Sequence, residues 1–217
     1  MTPRRRTKSL RSSGQERQAS IITAAASLFA AKGFQGTTTR EIAKTAGISE
    51  ALVFKHFPTK RALYAAILAE KASFSELLAT VEESARKRDD MRVFTMLAGY
   101  RIRRATDPTM LRLLLFSALE RHEISDMFFQ NQHRIFYDYL AGYIERRISE
   151  GAFRNVDPLL AARAFIGMVV HHRLLHEIFG VPAHRSPEDT VDTYVTLFLE
   201  GLRAQPSGAK KQRLTPG

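Results

Sequence analysis

The 217-residue sequence contains no cysteine and no tryptophan. Without cysteine there is no disulfide and no thiolate metal site, which fits a reducing cytoplasm. No run approaches the roughly 18 apolar residues that a membrane helix needs. The amino-terminal "MTPRRRTKSLRSSGQ" carries charge but no apolar stretch of the kind a secretory signal uses. Period-two alternation is missing, and so are internal repeats, so no segment reads as a strand. No phosphate loop, nucleophile elbow or HExxH is present, so nothing points to an enzyme and no cofactor is expected.

Acid is scarce where base is plentiful. The net charge is +11. Residues 1–62 hold twelve Lys and Arg against three Glu, a net of +9, while the other 155 residues carry 21 bases against 19 acids. A basic head on a near-neutral body calls for a polyanionic partner, either nucleic acid or an anionic membrane surface.

The hydrophobic share, 44%, suffices for a real core. Its period is helical nearly throughout. Residues 16–32 put Ile22, Ala25, Ala26 and Phe29 on one stripe, and Gly33 stops that helix. Thr38 and Glu41 form a capping box that opens a helix over about 39–46. Gly47 breaks it, Ser49 can cap a second short helix over about 50–56, and Pro58 ends that one. Thr59 can cap a long helix using Leu63, Ile67, Leu68, Phe74 and Leu78. Further helices are expected over 91–106, from Pro108, from Ile124 to Glu150, from Pro158 to about Phe179, and from Pro187 to about Arg203. The Pro/Gly/Lys-rich tail, 205–217, is expected to be disordered. The predicted fold class is all-α with about nine helices: residues 1–62 as a basic arm and compact helical head, and 63–204 as a larger helical body.

Two short helices around a tight turn make a helix-turn-helix, whose second helix enters the major groove of DNA. Ala43 is small where the helices cross, Gly47 supplies a left-handed turn, and Ile48 and Val53 face inward. The stretch "GFQGTTTREIAKTAGISEALVFKHFPTKRALYAAIL" resembles the DNA-binding domain of TetR-type (tetracycline-repressor-like) regulators. The matching positions are Thr37, Thr38, Ile42, Ala43, Ala46, Gly47, Ile48, Ser49, Phe57, Lys60 and Leu63. Phe54 departs from the family, which usually has a tyrosine there whose hydroxyl reaches a phosphate. That contact does not carry over. His56 or Lys55 is left to hold the phosphate, or the contact is absent, and Phe54 either touches a thymine methyl or packs.

The resemblance implies that Thr38, Thr39, Arg40, Ser49, Glu50, Ala51, Phe54, Lys55, His56 and Lys60 form the DNA-binding set. Arg40 can grip guanine bidentately, and Ala51 can meet a thymine methyl. Glu50 either accepts from cytosine or simply complements a helix amino terminus. Lys60 sits in a first helical turn, where a cation opposes the helix dipole; phosphate binding explains it. The arm Arg4, Arg5, Arg6, Lys8 and Arg11 is read as disordered on its own, and as either a minor-groove arm or a solvated tail.

In the body, aromatic residues exceed what one stripe needs. Phe128, Phe129, Phe136, Tyr137, Tyr139 and Tyr143 are mostly core. Tyr100, Arg101, Phe116, His133, Phe136 and Tyr137 are the candidates for an effector pocket. Small residues in the helix after Pro158 permit close approach of helices. Ala161, Ala164, Phe165, Met168, Val169, Tyr194 and Phe198 are the candidates for a twofold dimer interface. His172 and His176 are spaced like metal ligands, but no carboxylate completes a set, so no metal is assigned. The expectation is a cytoplasmic, homodimeric repressor on a pseudo-palindromic operator of double-stranded DNA, released by a small apolar or aromatic-compatible effector. A constitutive DNA-binding protein without an effector is the alternative. No membrane partner is expected.

Overall fold

The computed structural model describes residues 6–71, 75–103, 108–120, 126 and 134–204. Among these it shows ten α-helices and no strand: α1 (Arg6–Lys32), α2 (Thr39–Thr45), α3 (Glu50–His56), α4 (Lys60–Lys71), α5 (Ser75–Arg86), α6 (Asp90–Ile102), α7 (Thr109–Glu120), α8 (Arg134–Ser149), α9 (Pro158–Arg173) and α10 (Pro187–Leu202). The all-α expectation holds. Phe74, Phe128, Phe129, His133, Arg4, Arg5 and the tail lie outside the described residues.

The chain divides into two compact units. The first comprises residues 1–74 and 107–134. Its core is built from Ile21, Ile22, Ala25, Ala26 and Phe29 of α1, Ile42 and Ala43 of α2, Val53 of α3, Leu63, Tyr64, Ile67 and Leu68 of α4, and Leu113 of α7. The apolar stripe expected in α1 is therefore the buried one. The unit extends past residue 62 because the buried face of α4 belongs to this core. Phe29, Phe34 and Tyr64 pack at 5.3–5.7 Å between ring centroids, and the Tyr64 hydroxyl donates to the Leu113 carbonyl at 3.4 Å. These offset and edge-on contacts suit the ring quadrupoles.

α1 starts at Arg6, ten residues before the apolar period begins. The arm was expected to be disordered, but its Arg6, Lys8 and Arg11 continue the helical backbone. Arg and Lys are good helix formers, so a helix anchored by Ile21 and Ile22 extends through them without an apolar stripe.

The second unit holds α5, α6, α8, α9 and α10 (residues 75–106 and 135–217). Phe94 of α6 sits at its centre, with Phe165 at 4.9 Å, Phe198 at 5.1 Å and Tyr143 at 6.1 Å. Arg147 of α8 pairs with Asp90 at the start of α6, at 2.8 and 2.9 Å, and the Tyr143 hydroxyl donates to the same carboxylate at 2.5 Å. The single helix expected from Pro158 to Phe179 changes winding at its end. Leu174–Ile178 is π-helical, with the Phe179 amide reaching back to the Leu174 carbonyl. Such an extra residue in a turn leaves no periodic mark in the sequence.

Candidate functional site

The helix-turn-helix is built by local chemistry. The Thr38 hydroxyl accepts from the Glu41 amide at 3.2 Å, and the Glu41 carboxylate accepts from the Thr38 amide at 3.0 Å. That reciprocal cap fixes the start of α2. Lys32 of α1 pairs with Glu41 at 2.6 Å. The Lys32 ammonium, helped by the Thr38 hydrogen bonds, holds the Glu41 carboxyl down at about 2. At the other end of α2, Gly47 takes φ +67°. Its amide donates to the Lys44 carbonyl at 3.2 Å, and the Ile48 amide donates to Ala43 at 3.0 Å. This Schellman pair satisfies carbonyls that the helix end would otherwise orphan, and it aims the chain into α3. Ser49 caps α3 by accepting from the Leu52 amide at 3.3 Å. Val53 is 1% exposed, so the orientation of α3 is set by one buried anchor on its inner face.

The outer face of α3 then presents Ala51, Phe54 and Lys55 to solvent. Phe54 is 44% exposed, unusual for a large apolar ring with no fold-internal role. His56 is half-buried at the helix end. Arg40, exposed on α2, and Lys55 make no hydrogen bond or ion pair with any described residue. Two cations and an apolar ring therefore stand ready on one surface.

Other members of the predicted DNA-binding set are already engaged. The Thr39 hydroxyl donates to the Glu50 carboxylate at 2.5 Å and links the first turns of α2 and α3. Thr38 and Ser49 spend their hydroxyls on caps. Lys60 was read as having no structural reason for its place, and here the structure corrects the sequence. Its ammonium donates to the Phe34 carbonyl at 2.8 Å and the Thr37 carbonyl at 2.9 Å, and lies 4.3 Å from the centre of the Phe34 ring. Partial burial lowers its pKa, and the nearby Glu120 carboxylate opposes that shift. Lys60 thus pins the connector between α1 and α2 to α4.

Sequence reasoning missed the other half of that clamp. Glu120, the last residue of α7, accepts from the amides of Phe34 and Gln35, both at 3.2 Å. Gly33 makes room for it: φ is +75°, and a Cβ there would lie 2.1 Å from Glu120 Oε1. Glu120 is 86 residues from Phe34, and no local signal could have joined them.

The second unit contains a small apolar cleft lined by Leu97, Arg101, Phe136, Phe165, Ile166, Val169 and Val170, with free space for about one water molecule. Of the predicted effector residues, Arg101 and Phe136 line it. Tyr100 and Tyr137 act on Arg101 electrostatically without lining the cleft. Phe116 belongs to the first unit, where its ring packs by Gly33, so it is not part of this cleft. His133 lies outside the described residues.

The predicted dimer residues divide. Phe165 and Val169 are 1% and 3% exposed and face the unit's own core and cleft, and Phe198 packs on Phe94 and Phe165. Phe165 and Val169 are thus withdrawn from any outer surface, while Phe198 is half-buried. Ala164 is exposed, and Ala161, Met168 and Tyr194 are half-buried. Leu160 and Leu197, the second read from the sequence as a candidate on the final helix, are both 61% exposed. Among the described residues no group of three His, Cys, Asp or Glu could hold a metal. His172 and His176 meet edge-on at 4.2 Å between ring centroids, and Glu177 is taken by Arg173 at 2.5 and 2.8 Å. No described helix is long and apolar enough to cross a membrane.

A capped helix-turn-helix with a cationic outer face, joined in one chain to a helical unit that contains an apolar cleft, defines a DNA-binding regulator. The family model described as "Bacterial regulatory proteins, tetR family" matches residues 21–67, and that of the "AefR-like transcriptional repressor, C-terminal domain" matches 92–201, half of the chain. The chain belongs to the TetR family of transcriptional regulators, DNA-binding proteins of the repressor type and not enzymes. The HTH-type transcriptional regulator YvkB of Bacillus subtilis is 43% identical over 53 residues, 24% of this chain and 28% of that one. The chain thus spans under a third of that relative's length. Among solved structures, NalD, the secondary repressor of the MexAB-OprM multidrug efflux pump in Pseudomonas aeruginosa, has a TM-score of 0.70 at 20% identity, covering 88% of this chain and 98% of that one. AibR, in complex with isovaleryl coenzyme A and operator DNA, has a TM-score of 0.67 at 24% identity, covering 83% and 97%. At these identities the structures establish the fold alone.

Proposed function

We propose that the chain acts as a homodimeric repressor that occupies a pseudo-palindromic operator and leaves it when a small molecule enters the cleft of the second unit. The observation that carries this reading is the outer face of the helix-turn-helix, where Arg40, Lys55 and Phe54 stand exposed beside a turn fixed by Gly47. Arg40 and Lys55 meet phosphate or base edges, Ala51 and Phe54 meet thymine methyls, and His56 supplies the phosphate contact that the missing tyrosine does not. Thr38, Thr39, Ser49 and Glu50 shape this face, and the remaining N–H of Lys60 points to a phosphate.

Dimerisation is supported by the outer faces of α9 and α10. Leu160, Ala164 and Leu197 are exposed, and Gly167 has open space around its Cα. A second copy would cover them isologously and set two α3 helices about one DNA turn apart. Effector release is supported by the cleft, and AibR is a relative in fold crystallised with both an acyl coenzyme A and its operator. An effector works only through its different affinity for the bound and released geometries.

The test is selection of bound duplexes from a random pool by the full chain. Inverted repeats binding two protomers are expected. Recovery of single, asymmetric sites would overturn the dimeric reading. A small-molecule screen for release then separates this reading from that of a constitutive DNA-binding protein.

A further inference from the structure

Among the large apolar residues of α3, Phe54 alone is exposed, at 44%; Leu52 is half-buried and Val53 is buried. The Phe54 ring meets no other aromatic ring and no cation among the described residues. Ala51, also exposed, lies three residues before it. Residues at that spacing share a helix face and stand about 4.5 Å apart along the axis. The surface around them is cationic, because Arg40, Lys44 and Lys55 are exposed. Both carboxylates of α2 and α3 are engaged within the fold: Glu50 accepts from the Thr39 hydroxyl at 2.5 Å, and Glu41 pairs with Lys32 at 2.6 Å. An apolar pair framed by cations fits a polyanion that carries apolar groups among its polar ones.

In the major groove the base edges present hydrogen-bonding nitrogens and oxygens with one apolar exception, the C5-methyl group of thymine. A phenyl ring set against the polar edges strips them of water and offers no partner, which costs binding. Against a methyl it buries apolar surface on both sides. From this geometry we infer that Phe54, with Ala51, reads the C5-methyl groups of neighbouring operator pyrimidines, so that the chain distinguishes thymine from uracil and binds more tightly when a cytosine at the same position is methylated at C5. The inference rests on the reading of this face as the DNA interface, and deepens it by naming the group that is read. The separation of the two side chains is close to one base-pair step of about 3.4 Å, as contact with neighbouring pairs requires. Removing the methyl from thymine, or adding one to cytosine, alters no hydrogen-bonding group on the major-groove edge. A side chain that touches the methyl senses the change directly.

The experiment uses the full chain and the duplex selected as above. Thymines of one half-site are replaced singly by deoxyuridine, and affinity is read by fluorescence anisotropy at fixed salt. A loss of about fourfold is expected at one or two neighbouring positions and none elsewhere. At the position that Phe54 reads, 5-methylcytosine paired with guanine should bind about fourfold more tightly than cytosine paired with guanine. Phe54→Ala should erase both differences there, and Phe54→Tyr, which keeps the ring, should preserve them. Selected half-sites without thymine overturn the inference. So does binding that uracil leaves unchanged at every position, or a uracil effect that Phe54→Ala removes at no position. A fall in affinity for Phe54→Ala that is equal on thymine and uracil duplexes puts the ring on the sugar and phosphate edge, and overturns it too. Each of these leaves the reading of the face intact, provided that Arg40→Ala with Lys55→Ala weakens binding. Binding untouched by that double change overturns the reading of the face, and the inference falls with it.

Discussion

The Thr39 hydroxyl donates to the Glu50 carboxylate at 2.5 Å, so the first turns of the two helices in the helix-turn-helix are tied by side chains as well as by the turn between them. Glu50 also sits in the first turn of α3, where a negative charge complements the helix dipole. A carboxylate held on both counts is poorly placed to read cytosine. Glu50→Gln is therefore expected to leave base preference unchanged in selection from a random pool, and to raise affinity for non-specific DNA by removing a charge near phosphates. Thr39→Val should cost about 1 kcal/mol of stability through the lost hydrogen bond. A changed base preference in Glu50→Gln would restore the cytosine role.

Two glycines separate backbone strain from steric clash. Gly33 and Gly47 take φ of +75° and +67°. An alanine at 47 meets nothing within 4 Å, so Gly47→Ala should cost only the left-handed conformation, about 1–2 kcal/mol. An alanine at 33 also collides with Glu120 and must break its hydrogen bonds to the Phe34 and Gln35 amides. Gly33→Ala should be the more damaging by about 1–3 kcal/mol. Adding Glu120→Ala should cost Gly33→Ala far less than it costs the parent chain, a coupling that denaturant melts of the four proteins would read.

Lys60 carries the connector on its other side. Lys60→Met keeps an apolar stem over Phe34 but leaves the Phe34 and Thr37 carbonyls without their charged donor. Unfolding should become easier by about 1–3 kcal/mol. DNA affinity should fall alike for all sequences, and the salt dependence should flatten by about one ion if the third N–H serves a phosphate. A loss of stability with an unchanged salt slope would confine Lys60 to the clamp.

His172 gives the second unit a pH-dependent edge. Burial, together with His176 whose ring lies 4.2 Å away, lowers its pKa below 6.5, and Tyr194 approaches its Nδ1 at 3.4 Å. Between the folded pKa and 6.5 the unfolded chain binds more protons than the folded one, so stability rises with pH across that window and is level above it. Acidification below about pH 6.5 should therefore lower the melting temperature of the chain, and His172→Gln should flatten that limb. An unaltered limb in the variant would assign it to another group.

Much of the head was legible because its determinants are local. Thr38 and Glu41, Ser49, Gly47 and Pro58 each act within four residues, and α2 and α3 begin and end where these residues place them. The clamp was not legible: Lys60 was read only as a phosphate ligand because its acceptors, Phe34 and Thr37, are 26 and 23 residues away, and Glu120 is farther still. In α9 the apolar period marked a buried face but not what buries it. Phe165 and Val169 turned out to serve the unit's own core, and the outward positions are Ala164, already among the candidates, and Leu160, which was not.

That reassignment sets the last prediction. Leu160 on α9 and Leu197 on α10 are each 61% exposed, and between them Ala164 and Gly167 leave the backbone of α9 open to close approach. Covering a leucine fully is worth about 1.5–3 kcal/mol, and a twofold interface counts each change twice. Leu197→Asp should thus weaken self-association by about 3 kcal/mol or more, over a hundredfold, and sedimentation at micromolar concentration should show a monomer. The monomer should remain folded, since Leu197 contributes little to the core it leaves. Affinity for an inverted repeat should fall while affinity for a single half-site stays unchanged, because Arg40, Lys55 and the caps of α3 lie in the other unit. A Leu197→Asp chain that still sediments as a dimer would move the interface away from α9 and α10.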